Sequence, residues 1–416
     1  MNILMICATG VWSMGNGKGA PTIFRTLKAF NDAGHTVNLV VPESGGQGAA
    51  GGAIDRLERL RLWELRPFAL KGDGRSASLP GRTWAKLRLS VLFPLLAARQ
   101  GLRILRQEKI DVLYGYEVQG VLTVRLLRRL RRLPTVARFQ GTILSPSVRG
   151  PLRLARKFDH VLALKASADL YVMTDDGTLG DATLARLNPR AKQRLRFWRN
   201  GIDLERFQPV DAGKSARIRR ELGIPLDALL VVAISRLVWW KRLDRAIRVW
   251  PQVAARRPDA RLVIIGDGDE RERLERMVKE LGLEDSVWFT GAVRQEKVLQ
   301  YLQAADIFIS VNDLSNAGNP LMEAAACGKA IVTLNNGSTG RLICDGVNGL
   351  LLQPDDDAGL AQALARLMED GDLRQRLQRA ARQFALDNFW SWDQRMEAEV
   401  QAVADLVAGR LAGTGG

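Results

Sequence analysis

The sequence predicts an α/β chain built from two doubly wound parallel sheets, and three observations lead there. Short β-rich apolar runs alternate with amphipathic helical stretches from one end to the other, the pattern of parallel sheets with helices on both faces. The runs fall into two sets, divided by the turn Asn200-Gly201-Ile202-Asp203 and a charged helix from Ser215 to Leu222. At 416 residues, with 46% hydrophobic and 25% charged side chains, the chain has the size for two cores and an ordinary globular composition.

The opening MNILMICATG has no basic segment before its apolar run, and the run is too short for a secretory leader, so it reads as a first strand, Ile3–Cys7. Val37–Val41, Val112–Tyr114, Thr135–Phe139 and Leu170–Met173 extend the first set. Leu229–Ser235, Arg261–Ile265, Val287–Thr290, Ile307–Val311, Ala330–Thr333 and Gly349–Leu352 form the second. The expected organisation is an N-terminal domain over 1–205, a second domain over 206–385, and a closing helix and tail over 386–416. Gly45 to Gly52 (GGQGAAGG) reads as a mobile loop. Leu89 to Ala98, the longest uncharged apolar stretch of the first half, has ten residues, where about 20 are needed to span a bilayer. The expectation is a cytoplasmic protein with no spanning helix. Cys7, Cys327 and Cys344 lie far apart without metal-ligand spacing, and are expected as buried thiols in a reducing compartment.

The net charge of +16 is unevenly distributed. Residues 1–200 hold 33 Lys+Arg against 14 Asp+Glu, a balance of +19, so the remainder is slightly acidic. Such asymmetry suits an anionic partner, whether membrane lipid, nucleic acid or a phosphorylated acceptor, or else a solvated face. Arg82 to Lys109 interleaves Trp84, Leu87, Val91, Leu92, Leu95 and Leu102 with basic residues at helical spacing, with Pro94 expected to kink it. Basic amphipathic helices lie in membrane interfaces. Dense cations follow at Arg125–Arg132 and from Arg149 to Lys157. The expectation is peripheral attachment to the inner leaflet of the plasma membrane. The alternative is that the stretch packs on the first sheet. A non-catalytic nucleic-acid or anionic-surface binding protein is the competing class, although few aromatics stand at stacking spacing.

Gly15, Gly17 and Gly19 follow the first strand, where backbone N–H groups can approach a phosphate or sugar, or where a turn simply needs them. Their GxGxG spacing is neither a dinucleotide fingerprint nor a P-loop. After Leu229–Ser235 comes SRLVWWKRLDRAI, which sets Arg236 and Lys241 at a strand's C-terminal edge, where open α/β sheets bind ligands. Two cations there can neutralise a diphosphate, or can be solvated surface. Gly318-Asn319-Pro320-Leu321-Met322-Glu323 opens a helix whose N-terminal dipole favours phosphate. Glu323 can complement that dipole or accept two ribose hydroxyls. Asp267-Gly268-Asp269 has the form of a metal-binding Asp-x-Asp, but sits in a strand-to-helix turn that needs no ion.

The string from Asn200 to Phe207 (NGIDLERF), then SRLVWWK, LVIIGDGDERERLE, VWFTGAV, GNPLMEAAACGKAIV and DGVNGLLLQPDD, resembles the successive motifs of retaining glycosyltransferase family 4. The resemblance spans about residues 200–355 in fixed order and is weaker over the first half. It implies the GT-B fold: two Rossmann-like domains facing a cleft. FALDNFWSWDQRMEAEV is similar to the C-terminal helix that crosses back to the first domain in that fold. It further implies that Arg236 and Lys241 hold a donor pyrophosphate and Glu323 a ribose. The backbone at Ala317, Gly318 and Asn319 would touch the transferred sugar, Val293 would lie by the base, and Gly15 and Gly17 would complete the cradle. The implied activity moves a sugar from a nucleotide-diphosphate donor, a UDP-sugar, to a lipid-linked or glycan acceptor, with no resident cofactor or metal.

Three positions depart from the family pattern. Ser315 stands where a Glu is usual, eight positions before Glu323, so a contact to sugar hydroxyls is altered. In DVLYGYEVQG, Tyr116 stands where a His is expected, and RFQGT puts Gln140 at a place where His-Gly is common. The chain has only His35 and His160. Tyr116 and Glu117 are therefore the expected acceptor-side groups, Glu117 being the better base. The alternative is that Tyr116 packs and Glu117 pairs with a nearby Arg.

Overall fold

A computed structural model describes residues 1–9, 21–43, 53–69, 87–144 and 157–409. The chain divides into two compact units. One comprises Met1–Asp175, Leu179–Asn200 and the segment from Trp392 onward; the other comprises Asp176–Thr178 and Gly201–Ser391.

The first unit is a seven-stranded parallel sheet of order β3-β2-β1-β4-β5-β6-β7. Its strands are β1 (Asn2–Cys7), β2 (Thr36–Glu43), β3 (Leu60–Ala69), β4 (Val112–Tyr116), β5 (Thr135–Phe139), β6 (Leu170–Thr174) and β7 (Leu195–Trp198). Alternation along β1 feeds two cores: Ile3, Met5 and Cys7 on one face, Leu4 and Ile6 on the other. Helices α1 (Pro21–Asp32), α2 (Phe93–Gln107), α3 (Glu117–Leu130), α4 (Phe158–Leu164) and α5 (Gly180–Leu187) cover these faces.

The second unit repeats the plan with six strands, β10-β9-β8-β11-β12-β13. They are β8 (Leu230–Ile234), β9 (Arg261–Ile265), β10 (Val287–Gly291), β11 (Ile307–Ser310), β12 (Ala330–Leu334) and β13 (Leu350–Leu352). Its helices are α6 (Ala212–Leu222), α7 (Leu243–Arg256), α8 (Arg271–Glu280), α9 (Gln295–Ala304), α10 (Asn319–Ala326), α11 (Asp357–Glu369) and α12 (Gly371–Asn388). Local chemistry sets several ends. Asp211 caps α6 by accepting from the Lys214 N–H at 2.8 Å, and Gly223 closes it at φ 70°; Asp356 and Asp370 cap α11 and α12 in the same way. In each unit the strand order reverses once, between β1 and β4 and between β8 and β11, and the crevice at such a reversal is where these sheets bind ligands.

The last helix, α13 (Trp392–Val407), belongs to the first unit, where it packs along α1. It carries a buried ionic group: Glu399 lies 2.8 Å from Arg395 and 3.4 Å from Arg138, and accepts the Tyr114 hydroxyl. Arg395 also stacks on Trp198, 4.8 Å from the ring centre.

Pro94 is the second residue of α2, and a single π-helical turn, Arg88–Leu92, runs into that helix without a break, an interruption of regular α geometry at the expected place. Two local expectations change. Cys344 is exposed, whereas Cys7 and Cys327 are buried, the first pushed up to about 12 by desolvation. Two strands, β3 and β7, escape the apolar-run reading. Among the described residues no helix is long and apolar enough to cross a membrane.

Candidate active site

In the second unit the loops after β8 and β11 flank the strand reversal. Ser235 donates its N–H to Ile265 O at 3.0 Å, Leu237 donates to Asp267 O at 2.9 Å, and Glu270 donates to Leu237 O at 3.0 Å. These bonds brace the loop that carries Arg236. The brace needs glycine, because a Cβ at Gly266 would meet Ser235 O at 1.9 Å and one at Gly268 would meet Leu237 O at 2.2 Å. The Gly266-Asp267-Gly268 turn thus has a structural task without any ion. Arg236 is exposed and leans over the Trp240 ring at 5.8 Å.

Lys241 ends a short 3-10 turn, Trp239–Lys241, and its ammonium donates to Ser315 O at 3.3 Å, tying the two loops together. Desolvation is the main force on it and pulls its pKa down to about 8; Arg236 adds to the fall and Asp176 opposes it. Ser315 takes the left-handed conformation, φ 64°, and its hydroxyl donates to Asp176 Oδ2 at 3.2 Å. Behind it lies an amide cluster that the sequence reading missed. Asn316 donates to Asn312 O and to Asn336 Oδ1, both at 2.7 Å, and Asn336 donates to Asn312 O at 2.7 Å. Asn316 Oδ1 accepts from Ser310 and from the Asn312 N–H. Amides recurring at 312, 316 and 336 were the available signal.

Ala317 is buried, and Gly318 is the N-cap of α10. Leu321 and Met322 donate to Gly318 O, and Pro320 has no N–H, so the helix end offers an anion its dipole more than a rank of donors. A Cβ at Gly318 would touch nothing nearer than 3.8 Å. The protein itself does not require glycine there, which suits close approach by a ligand. Glu323 lies just past the first turn of α10 and is only 7% exposed. Burial raises its carboxyl to about 7 against the lowering effects of Gln295 and Arg206. Val293 is half-buried after β10, packed on the same core.

In the first unit the ends of β1, β4 and β5 meet at a second strand reversal. Tyr116 is 1% exposed; its hydroxyl accepts the Gln140 amide and Arg138 lies 5.9 Å from its ring. It packs in the core, the second of the two expected roles. Glu117 starts α3 at φ 61°, is half-buried, and accepts the Gln140 N–H at 2.6 Å. Gly120 lets α3 approach β1 closely, since a Cβ there would meet Ile6 O at 2.2 Å. Gly15 and Gly17, with the Gly45–Gly52 stretch, lie outside the described residues. No group of His, Cys, Asp and Glu among the described residues is arranged to hold a metal ion.

Residues 214–384 match the family described as glycosyl transferases group 1. A GDP-mannose-dependent alpha-(1-6)-phosphatidylinositol monomannoside mannosyltransferase of Mycolicibacterium smegmatis is 33% identical over 217 residues, 50% of this chain and 55% of that protein. The chain thus spans about half the length of that relative. A lipopolysaccharide core biosynthesis glycosyltransferase of Rhizobium meliloti is 26% identical over 350 residues, 79% of this chain and 89% of that one. Among solved structures, Anabaena HepE in complex with UDP-glucose aligns at TM-score 0.72 and 19% identity, covering 97% of this chain and 100% of its own. These likenesses, with the two parallel sheets, make the fold GT-B.

Proposed function

From the premise that residues 214–384 belong to the glycosyl transferases group 1 family, we propose that this chain is a retaining glycosyltransferase. It moves a sugar from a nucleotide-diphosphate donor, a UDP-sugar, to a lipid-linked or saccharide acceptor. The observation that carries the reading is that Lys241, on the loop after β8 with Arg236, is tied to Ser315 on the loop that leads into α10, the helix that bears the buried Glu323. Cations and a helix dipole suit a diphosphate, and a buried carboxylate suits a ribose diol.

In the reaction the bond from sugar C1 to the diphosphate oxygen breaks, and the acceptor oxygen bonds to C1 on the same face. The acceptor's proton passes to the departing phosphate oxygen, leaving a nucleoside diphosphate and the glycoside. Such a transfer needs chiefly positioning and electrostatic stabilisation. Arg236 and Lys241 meet the charge developing on the leaving group, the task a metal performs elsewhere. Glu117 is the acceptor-side carboxylate of this reading. The acceptor class is supported by the relatives, whose names specify a phosphatidylinositol mannoside and a lipopolysaccharide core. Attachment to an anionic leaflet is supported by the basic first half of the chain.

A thermal-shift panel of UDP, GDP, ADP and their common sugar conjugates, with and without Mg²⁺, tests the donor site on wild type and Glu323→Ala. The expected result is stabilisation of wild type by a UDP-sugar without Mg²⁺, lost in the variant. No shift with any nucleotide overturns the reading.

A further inference from the structure

We propose that Asp176, paired with Ser315, reads the hydroxyls of the donor's sugar and restricts the donor to neutral sugars against uronates. The inference rests on the donor-site reading above. Asp176 was assigned no role from the sequence, because it follows the sixth strand, far along the chain from Arg236, Lys241 and Glu323. The fold nevertheless gives Asp176–Thr178 to the second unit, where it sits against the loop before α10.

The seating is specific. Gly177 has φ 94°, and a Cβ on it would meet Ala317 N at 2.9 Å. Gly337 has φ 57°, and a Cβ on it would meet Gly177 O at 1.7 Å. The segment is therefore held between 315–317 and 337 by two positions that only glycine fills without displacement. Within this seat, Asp176 Oδ1 accepts from the Thr178 N–H at 3.2 Å and its hydroxyl at 2.6 Å, while Oδ2 accepts from Ser315 at 3.2 Å. Asp176 is half-buried, and Lys241 lies close enough to act on its charge.

A carboxylate has about four lone-pair sites, so Asp176 retains acceptor capacity for sugar hydroxyls, and the Ser315 oxygen keeps its own. The pair sits between the diphosphate cation Lys241 and the open face of Gly318, where the group next to the diphosphate must lie. A fixed negative charge there accepts hydroxyl hydrogens and repels a second carboxylate. The chemical class selected is a neutral polyhydroxylated sugar.

The test measures binding of UDP, UDP-glucose and UDP-glucuronic acid by calorimetry to wild type, Asp176→Asn and Ser315→Ala, with circular dichroism confirming the fold of each. Wild type should bind UDP-glucose more tightly than UDP-glucuronic acid. Asp176→Asn should leave UDP affinity within about twofold, weaken UDP-glucose about tenfold, and narrow the preference against the uronate. Ser315→Ala should shift both sugars in the same sense by less. Unchanged sugar discrimination in Asp176→Asn with intact UDP binding overturns the role of Asp176 alone. Absence of UDP binding in wild type overturns the donor-site reading and this inference with it.

Discussion

At the scale of single residues, two titratable groups of the site work in opposite directions of pH. Burial holds the Glu323 carboxyl at about 7, and desolvation lowers the Lys241 ammonium to about 8. A carboxylate that accepts ribose hydroxyls acts ionised, and a lysine that holds a diphosphate acts protonated. Affinity for the sugar nucleotide should therefore rise as pH passes 7 and fall again beyond 8, changing about tenfold per pH unit on the steep part of each limb. Calorimetry from about pH 5.5 to about pH 9.5 reads this profile. Glu323→Gln should flatten the acid limb and leave the alkaline one; an acid limb that survives removes Glu323 from the site. The same shift acts on the protein without ligand. Because the folded carboxyl binds its proton more tightly than the unfolded one, this contribution favours folding at low pH. It fades as pH rises from 4.5 to 7, by on the order of 3 kcal/mol in all, and Glu323→Gln should erase that slope in thermal melts.

At the scale of elements, helix α13 depends on charges rather than on apolar area alone. Arg138, Arg395 and Glu399 are each at most 1% exposed. Burial alone would raise the Glu399 carboxyl, but Arg138 and Arg395 outweigh it and hold the group below its ordinary value. Glu399→Gln strands two buried guanidiniums and should cost roughly 3–5 kcal/mol, seen as a lowered melting temperature. Replacing Glu399, Arg138 and Arg395 together by Leu, Met and Met should recover most of that loss. A single variant as stable as wild type would refute the ionic account. Elements of this kind also mark where the sequence stops being legible. The eleven strands found by apolar runs include the central strands of both sheets, buried on two faces and therefore uninterrupted. The two that escaped, β3 and β7, are the edges of the first sheet, and Leu60–Ala69 carries the exposed Arg61 and Glu64 because an edge is half solvated. The site divides in the same way. Arg236 and Lys241 could be proposed from the sequence because both follow β8, and Glu323 because it lies on the helix after β11. Asp176 could not, because it reaches Ser315 across 139 positions of sequence, and the asparagine cluster closes only when the loops after β11 and β12 meet.

At the scale of the whole molecule, the charge asymmetry becomes a surface with a defined stripe. Helix α2 turns Phe93, Ala97, Ala98, Gly101 and Ile104 into the core of the first unit, so the packing reading holds for that face. Among the described residues another side stays exposed: Leu87 and Val91, at the π-helical turn before α2, are 52% and 41% exposed, Leu95 of α2 is 54% exposed, and Arg99 and Arg103 follow at four-residue spacing, also exposed. Apolar side chains followed by guanidiniums on one helical line suit a leaflet boundary, where the first enter the acyl region and the second meet headgroups. Each cation near an anionic leaflet contributes about 1 kcal/mol, and that part is screened as the Debye length falls from about 10 Å at 0.1 M salt to about 3 Å at 1 M. Co-sedimentation should therefore recover the protein with vesicles containing phosphatidylglycerol, much less with phosphatidylcholine alone, and less again in high salt. Val91→Glu with Leu95→Glu should reduce recovery at every salt concentration while leaving nucleotide affinity in solution unchanged, because the lost term is apolar and lies in the other unit from Arg236, Lys241 and Glu323. Equal recovery on both lipids would mean that the basic half does not read a membrane surface, and the acceptor would then be sought among soluble saccharides.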